Sequence, residues 1–413
     1  MSNTTLTADI IAKAAVSVLE NSCVMGNLVY RGYEEEFQSK VNGYQIGETL
    51  SIKRPTDFTV RDGMTAAVQD VTEGKFTLTV DKFKGVDFKF TSQDLTQQIG
   101  VLTERVIQPA MVQLANQIDR DLHDLYKDVW NWVGTPGETV NSFADFAKAP
   151  ERLDLGAVPM DGRYAVLSPT DEYGMLGAQT ALYMSDVAKG AYRDGNLGRI
   201  ANVDTYSSQN VQTHTAGTRD NTTPVVKGTQ STTWAASKDS GTMSLDTDGW
   251  DASATIKDGD VFTIDAVFAV NPVTKATLPH LQQFVVTADV TANGTTTSST
   301  TLTISPPIIT SGAFQTVSAA ALDNATITIM GTASTGYSQN LVFRKNAFAL
   351  VMVPLVKPPG AVEVGRRSYK GFQVRVIPYY DGTNDVSNWR LDVLYGVKTV
   401  DARQATRLSG TSS

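Results

Sequence analysis

An abrupt change of composition near residue 216 constrains this 413-residue chain more than any other feature. Residues 211–340 contain 28 threonines, only five lysines or arginines, and ten acidic residues that are all aspartate. Threonine favours strands and aspartate favours turns, whereas glutamate favours helices. This segment is therefore predicted to be all-β.

Four stretches of this segment have the length and the apolar content of strands, and turn sequences separate them. They are VFTIDAVFAV (261–270), LQQFVVTADV (281–290), TTLTISP (300–306) and ATITIMG (325–331). Several short strands at close spacing predict a small barrel or sandwich. Mixed sequence returns after residue 340, so we expect a β-domain at 216–338 inserted into a mixed domain whose last strands come from beyond it.

Residues 8–20, ADIIAKAAVSVLE, predict an amphipathic helix with Thr7 as its N-cap. Its apolar residues form two neighbouring stripes at i, i+4 spacing. The stripes are Ile10, Ala14 and Val18, and Ile11, Ala15 and Leu19. Two alternatives remain open from the sequence, since such a helix can pack on its own domain or dock on a neighbouring subunit.

Residues 46–90 predict a long hairpin whose first strand runs to a turn at Gly63. In the returning strand, apolar and polar residues alternate from Phe76 to Val80, which is the period of a half-buried strand. Both limbs are heavily charged, at Lys53, Arg54, Arg61, Asp62, Asp70, Glu73 and Lys75. A two-stranded hairpin is marginal alone, so we expect this one to lie across a neighbouring subunit.

Residues 93–132 carry the strongest helical pattern in the chain. Apolar residues recur along it at Leu102, Ile107, Met111, Leu114, Ile118, Leu122, Leu125 and Val129. Pro109 lacks a backbone N–H, so it lies either in the first turn or at a kink. From Pro109 to Trp132 such a helix would be about 36 Å long, at about 1.5 Å per residue.

A buried strand is predicted at 163–169, RYAVLSP, and a helix directly after it in TDEYGMLGAQTALY. Thr170 is the predicted N-cap of this helix. Asp171 and Glu172 would then lie in the first turn, where the helix dipole favours negative charge.

The charge and the scarcity of cysteine exclude several classes of function. A formal net charge of −8 argues against a protein that neutralises nucleic-acid phosphates with clustered Lys and Arg. Cys23 is the single cysteine, which excludes intrachain disulfides, CxxC chemistry and cysteine-based zinc clusters. The three histidines, His123, His214 and His280, are too far apart in sequence for a local metal motif.

The remaining motifs also favour structural roles. Gly74-Lys75 is followed by Phe76, so it is not a phosphate-binding loop. DTDGWD (246–251) resembles a calcium loop, but Lys257 stands where a bidentate glutamate is needed, so a turn is expected. We therefore expect no catalytic, cofactor-binding or metal-binding residue and no cofactor.

Isolated polar residues have simpler interpretations. We expect Cys23 to be a small buried hydrophobic residue and His123 to be solvated or to act as a cap. The carboxylate pairs Glu34–Glu36 and Asp258/Asp260 are expected on solvated faces and turns. No apolar run approaches a membrane span and no signal peptide is apparent, so we expect synthesis and folding in a reducing cytoplasm.

Four segments resemble those of tailed-bacteriophage major capsid proteins. They are FTVRDG (58–63), QDVTEGKFTLTVDKFKGVDFKFTSQDL (69–95), AYRDGNLGRIANVD (191–204) and YGVKTVDARQATRL (395–408). The chain is most similar to the podovirus-type coat proteins, which carry an inserted domain in the Hong Kong 97-type fold. The resemblance covers nearly the whole chain in the same order, and is weakest within 216–338.

The resemblance implies an α+β fold, the Hong Kong 97-type capsid fold, with an inserted all-β barrel-like domain on the outer surface. The implied regions are an N-arm (1–44), an E-loop (45–84), a P-domain with the spine helix (85–135), the first part of an A-domain (136–215), the inserted β-domain (216–338), and the second part of the A-domain with a C-terminal P-domain segment (339–413).

The implied function is a structural, non-enzymatic major capsid protein that self-assembles into the icosahedral shell around a double-stranded DNA genome. The implied partners are copies of the same chain in pentamers and hexamers, scaffolding and portal proteins, and DNA enclosed without sequence-specific binding. Its location would be the virion, after assembly in the host cytoplasm. Two alternatives are a host-encoded protein nanocompartment shell of the same fold and an enzyme or adhesin.

Overall fold

A computed structural model describes residues 8–35, 40–41, 44–45, 49–60, 63–65, 68–69, 71–91, 106–179, 197–219, 223–293, 299–360 and 364–411. Its helices are α1 (Ala8–Ser22), α2 (Met25–Leu28), α3 (Gln108–His123), α4 (Phe143–Leu155), α5 (Pro169–Gln179) and α6 (Trp234–Ser237).

The first twelve strands are β1 (Lys40–Val41), β2 (Tyr44–Gln45), β3 (Thr49–Lys53), β4 (Lys75–Thr79), β5 (Lys82–Thr91), β6 (Trp132–Val133), β7 (Arg163–Leu167), β8 (Arg199–Ile200), β9 (Val203–Ser207), β10 (Thr213–Thr215), β11 (Val225–Val226) and β12 (Met243–Asp248). The others are β13 (Thr255–Ile256), β14 (Val261–Val270), β15 (Thr277–Val286), β16 (Val290–Thr291), β17 (Thr300–Ser305), β18 (Ile327–Ile329), β19 (Gly336–Ser338), β20 (Asn340–Arg344), β21 (Phe348–Met352), β22 (Gly365–Tyr369), β23 (Phe372–Asp381), β24 (Val386–Thr399) and β25 (Ala405–Leu408).

The chain forms two compact units. The first contains Met1–Leu50, Thr77–His123 and Phe348–Lys398. Its sheet has the order β21–β24–β23–β22, and β5 pairs antiparallel with β24 along ten residues. The second unit contains Ser51–Phe76, Asp124–Ala347 and Thr399–Ser413.

The predicted N-terminal helix is confirmed as α1, which packs against α3, β22 and β23 of its own unit. This is the first of the two alternatives left open by the sequence. The stripe of Ile11, Ala15 and Leu19 is buried, because it faces the sheet. Its predicted cap, Thr7, lies outside the described residues.

The predicted buried face of the spine helix is confirmed, but its predicted length is wrong. Met111, Leu114 and Ile118 are buried, and Pro109 lies in the first turn of α3. The helix ends at His123 and tightens into a 3-10 turn at Asp124–Asp128; at about 1.5 Å per residue α3 is about 24 Å long. Residues 92–105, with Leu102, lie outside the described part of the chain.

The residues predicted to end the spine helix form a strand instead. Trp132–Val133 is β6, which pairs in parallel with β25. The backbone N–H of Arg407 donates to Asn131 O over 2.7 Å, and that of Ser409 donates to Val133 O over 3.0 Å. Trp132 and Val133 therefore have the extended conformation of a strand, so the helical pattern does not continue to Trp132.

The second unit contains a six-stranded sheet with the order β6–β25–β20–β7–β9–β8. The predicted buried strand is confirmed as β7, which pairs with β20. Strand β20 pairs in turn with β25, and both β20 and β25 come from beyond residue 338. Helix α5 begins one residue before the predicted cap, Thr170. The correct cap is Ser168, whose hydroxyl accepts from the backbone N–H of Asp171 and leaves Pro169 at the first helical position. Residues 180–183 of the predicted helix lie outside the described residues.

The threonine-rich segment forms a second six-stranded sheet, with the order β11–β12–β17–β15–β14–β18. Its first and last strands are joined, because Val226 N donates to Ala325 O over 3.0 Å and Ile327 N donates to Pro224 O over 2.9 Å. The sheet therefore closes on itself, which decides for a barrel over a sandwich. We call residues 224–329 the barrel.

The barrel has its own hydrophobic core. Large buried side chains from most of its strands meet inside it, including Leu245, Trp250, Phe262, Phe284 and Ile304. The four predicted strands are found as β14, β15, β17 and β18. The two ends of 216–338 lie side by side, since β10 pairs antiparallel with β19 and Ala216 N donates to Thr335 O over 3.1 Å.

Candidate assembly surfaces

The charged hairpin projects as an arm, which we define as residues 49–79. Among the described residues of the arm, regular strand pairing is confined to the base, where β3 meets β4. The predicted strand to Gly63 therefore ends at Lys53. Further out, side chains hold the two limbs together. The Gln69 amide accepts from Thr59 N over 2.9 Å and donates to Thr59 O over 2.6 Å.

The outer part of the arm exposes large apolar side chains. Val60, Met64 and Val68 are 99%, 98% and 93% exposed, and Phe58 and Val71 are more than half exposed. Scattered exposed apolar residues are normal, but several together mark an interaction surface. We call these five residues the arm tip.

The charged residues of the arm behave differently from one another. Lys53 and Glu73 form an exposed ion pair of 2.5 Å across the base. Arg54 is half-buried, and burial lowers the pKa of its guanidinium below its usual value. Arg61, Asp62 and Asp70 lie outside the described residues.

The base of the arm contacts another part of the same chain, a contact that the sequence did not predict. The indole N–H of Trp234 donates to Thr72 O over 2.9 Å. The backbone N–H of Lys75 donates to Asp239 Oδ1 over 3.2 Å. The arm base therefore lies on the barrel of the same chain, while the arm tip remains exposed.

A buried polar cluster lies where the barrel joins the sheet that contains β6 and β25. The expectation that Asp260 is solvated is wrong, because its side chain is 2% exposed. Asp260 accepts from His214 Nε2 over 3.0 Å and from Lys257 N over 2.9 Å, and Arg219 lies 3.7 Å away. An ionised carboxylate can only accept, so His214 donates from Nε2 to Asp260, and its Nδ1 lies 3.2 Å from the hydroxyl oxygen of Tyr126.

Charge compensation explains how this cluster is tolerated. Burial by itself raises the pKa of Asp260, but the hydrogen bond from His214 and the charge of Arg219 lower it below 3.8. Arg407 is fully buried against the rings of Tyr126 and Trp132 and donates to Gly259 O over 2.8 Å. Burial lowers the pKa of Arg407 to about 10.

The aspartate-rich loop 246–260 is partly committed to the barrel interior. Trp250 is buried and donates its indole N–H to Thr247 Oγ1 over 2.7 Å. The DTDGWD sequence, where a turn was expected, forms the end of β12 and an irregular stretch that leads into a turn at 252–253. Asp248, Asp251 and Asp258 are partly exposed. These three carboxylates remain accessible at the barrel surface, whereas Asp260 does not.

Two further polar residues of the first unit are buried against expectation. His123 is 1% exposed, and burial lowers the pKa of its imidazole to about 4. Glu34 is also buried and pairs with Arg31 over 2.7 Å; burial raises the pKa of its carboxyl. Glu36 lies outside the described residues. Cys23 is a buried thiol, as predicted.

Asp119 was missed by sequence reasoning. It is buried on α3 and accepts from Val24 N over 2.6 Å and from Gly26 N over 3.0 Å, which caps the start of α2. Burial raises the pKa of Asp119 to about 6. An isolated Asp on the apolar face of a helical pattern was the available signal.

Within the described ranges, no three His, Cys, Asp or Glu side chains converge as metal ligands do. Among the helices described, none has the length and apolar character needed to span a membrane.

A chain of mixed helix and strand with an exposed apolar arm tip and a β-barrel agrees with the resemblance to coat proteins of the Hong Kong 97 type. A family model described as "P22 coat protein - gene protein 5" matches residues 1–406. Because this match covers nearly the whole chain, the chain belongs to the P22 coat protein family. The expected function as a phage major capsid protein, a component of the virion, is thereby confirmed.

Individual relatives are distant. The chain is 22% identical over 364 residues to the major capsid protein of Acyrthosiphon pisum secondary endosymbiont phage 1, covering 84% of this chain and 85% of that protein. It is similar to a structure from Mycobacterium phage Che8, with 15% identity, coverage of 93% and 90%, and a TM-score of 0.49. It is also similar to a virus-like particle from Pyrococcus furiosus, with 6% identity, coverage of 97% and 98%, and a TM-score of 0.41.

Proposed function

We propose that this chain self-assembles into an icosahedral shell of pentamers and hexamers that encloses the double-stranded DNA genome of a tailed bacteriophage. The arm tip is the observation that carries this proposal. Val60, Met64 and Val68 expose nearly all of their surface in the single chain. Burial of each such side chain contributes roughly 1.5–3 kcal/mol of favourable free energy. In a shell, a second copy of the chain is the partner that can bury them.

The proposed division of the chain follows from the same role. The arm corresponds to the E-loop at 45–84, which lies across a neighbouring subunit through its tip. The barrel corresponds to the inserted domain at 216–338, supported by its closed sheet, its own core and its adjacent ends. We place it on the outer surface, where Asp248, Asp251 and Asp258 contact neighbouring capsomers.

Scaffolding and portal proteins are the further partners of this proposal, with assembly in the host cytoplasm. The role is structural and needs no enzymatic chemistry. DNA is enclosed without sequence-specific binding, which a net charge of −8 permits, because a strongly basic lining would hold phosphates tightly.

Electron microscopy of the assembled protein tests the proposal. Val60→Ser with Met64→Ser is expected to lower the yield of closed shells at least about tenfold, since the loss of burial weakens every arm contact. Val273→Ser, at another exposed valine, is the matched control and should assemble normally. Shells that contain DNA support the virion role, shells that enclose an enzyme indicate a nanocompartment, and equal yields from all three chains contradict the proposed arm contact.

A further inference from the structure

The barrel contains a socket for the base of the arm, which we define as residues 234–241. Two hydrogen bonds join the socket to the arm, from the Trp234 indole to Thr72 O and from Lys75 N to the Asp239 carboxylate. Both bonds fix the main chain of the arm on either side of Gly74. The socket therefore binds main-chain atoms of the arm, and these two bonds do not depend on the arm's side chains.

The fit at Gly74 is close. A Cβ at this position would lie 2.4 Å from the carbonyl oxygen of Lys238 and 3.2 Å from the indole ring of Trp234. On the other limb, Arg54 N donates to Gly74 O over 2.7 Å, and the Arg54 guanidinium lies against Gly241. Only glycine permits the arm backbone to approach the barrel this closely.

A second aromatic ring packs against the indole of Trp234 in the socket. Its ring stacks on Phe314, with centroids 3.8 Å apart and planes 5° from parallel. Stacked aromatic pairs of this kind add to the stability gained from burial alone. The donor that binds Thr72 O is therefore fixed in position before any partner arrives.

We infer that the socket sets the direction of the arm before assembly, so that the barrel acts as a positioning element for the arm tip. This inference rests on the proposed function, in which the tip docks on a second copy. Ordering a flexible segment at the moment of docking costs free energy. A socket within the same chain removes part of that cost in advance, and the barrel then contributes to assembly from inside the subunit as well as from its surface.

Limited trypsin cleavage of the unassembled, full-length subunit tests the inference, with cleavage after Lys53 and Lys75 as the readout. Trp234→Phe keeps a ring to stack on Phe314 but removes the donor to Thr72 O. Loss of such a bond is expected to raise the cleavage rate about tenfold, because cleavage follows the population of the open arm. Gly74→Ala should have a larger effect.

Gly360→Ala is the matched control, since a Cβ there meets nothing within 4 Å, and it should be cleaved at the wild-type rate. If Gly74→Ala fails to fold by circular dichroism, Trp234→Phe decides. Wild-type cleavage of folded Trp234→Phe overturns the inference, as does faster cleavage with unchanged shell yield. Failure of the wild-type chain to form shells would instead contradict the proposed function, because cleavage is measured without assembly.

Discussion

The barrel and the arm are both built from β-type sequence in which apolar residues recur. The barrel buries its large apolar side chains, whereas the arm tip exposes them. In the barrel, Phe262 and Val286 are at most 2% exposed, whereas Val60 and Met64 of the arm are almost completely exposed. The barrel joins its first strand to its last, so each strand has two neighbours and one face turns inward. The arm has only two limbs. At its base Phe76 and Leu78 are buried, but among the described residues of its outer part no strand covers the arm tip.

This difference shows that closure, and not the local sequence pattern, decides which apolar residues find a core within the chain. A closed sheet satisfies its own edges and buries its own interior. The outer part of an open two-stranded arm does neither, so the apolar residues of the arm tip are available to another subunit.

The sharpest test of the comparison is to separate the two regions. The excised segment 216–338 should fold cooperatively as a monomer, with a stability of about 5 kcal/mol, because it holds a closed sheet and a core of its own. A peptide of residues 45–84 should be unfolded under the same conditions. Thermal melts followed by circular dichroism measure both. A segment 216–338 that gives no cooperative transition would show that the barrel depends on the rest of the chain.

A matched pair of valines provides a second test. Val286→Asp places a carboxylate in the barrel core and should destabilise the subunit by at least about 4 kcal/mol, with aggregation of the product. Val60→Asp should change the free energy of unfolding by less than about 0.5 kcal/mol, while shell yield falls. Denaturant titration of the unassembled subunit measures both variants. Equal destabilisation by the two substitutions would contradict the distinction between arm and barrel.

The stability of the buried polar cluster around Asp260 should depend on pH. Asp260→Asn breaks a buried charge network and should cost about 3 kcal/mol at pH 7. Because the folded pKa of Asp260 lies below 3.8, the stability it provides is present above that value and is lost as the pH falls through the folded pKa. The difference between wild type and Asp260→Asn should therefore shrink below about pH 4. A difference that stays constant from pH 7 to pH 3 would show that the carboxylate charge contributes nothing.

Local pattern was sufficient for much of the fold. The strand predicted at 261–270 is β14, residue for residue, and the buried faces of α1 and α3 follow from helical periodicity. The strand predicted at 281–290 is displaced, since β15 is Thr277–Val286. Its limits are set by pairing with β14, where Val270 lies opposite Thr277, and no local pattern encodes a register between two strands.

By itself, then, the sequence determined the change of structural class near residue 216, the β character of 216–338, the inward faces of the helices and the resemblance to phage coat proteins. These depend on periodicity and composition, which act over a few residues. The tertiary structure alone decided that α3 stops at His123, that the arm base rests on Trp234, and that Asp260 and Arg407 are buried. Each of these depends on partners far apart in the chain, such as Tyr126 and Arg407, and burial and charge pairing exist only once the fold has brought them together.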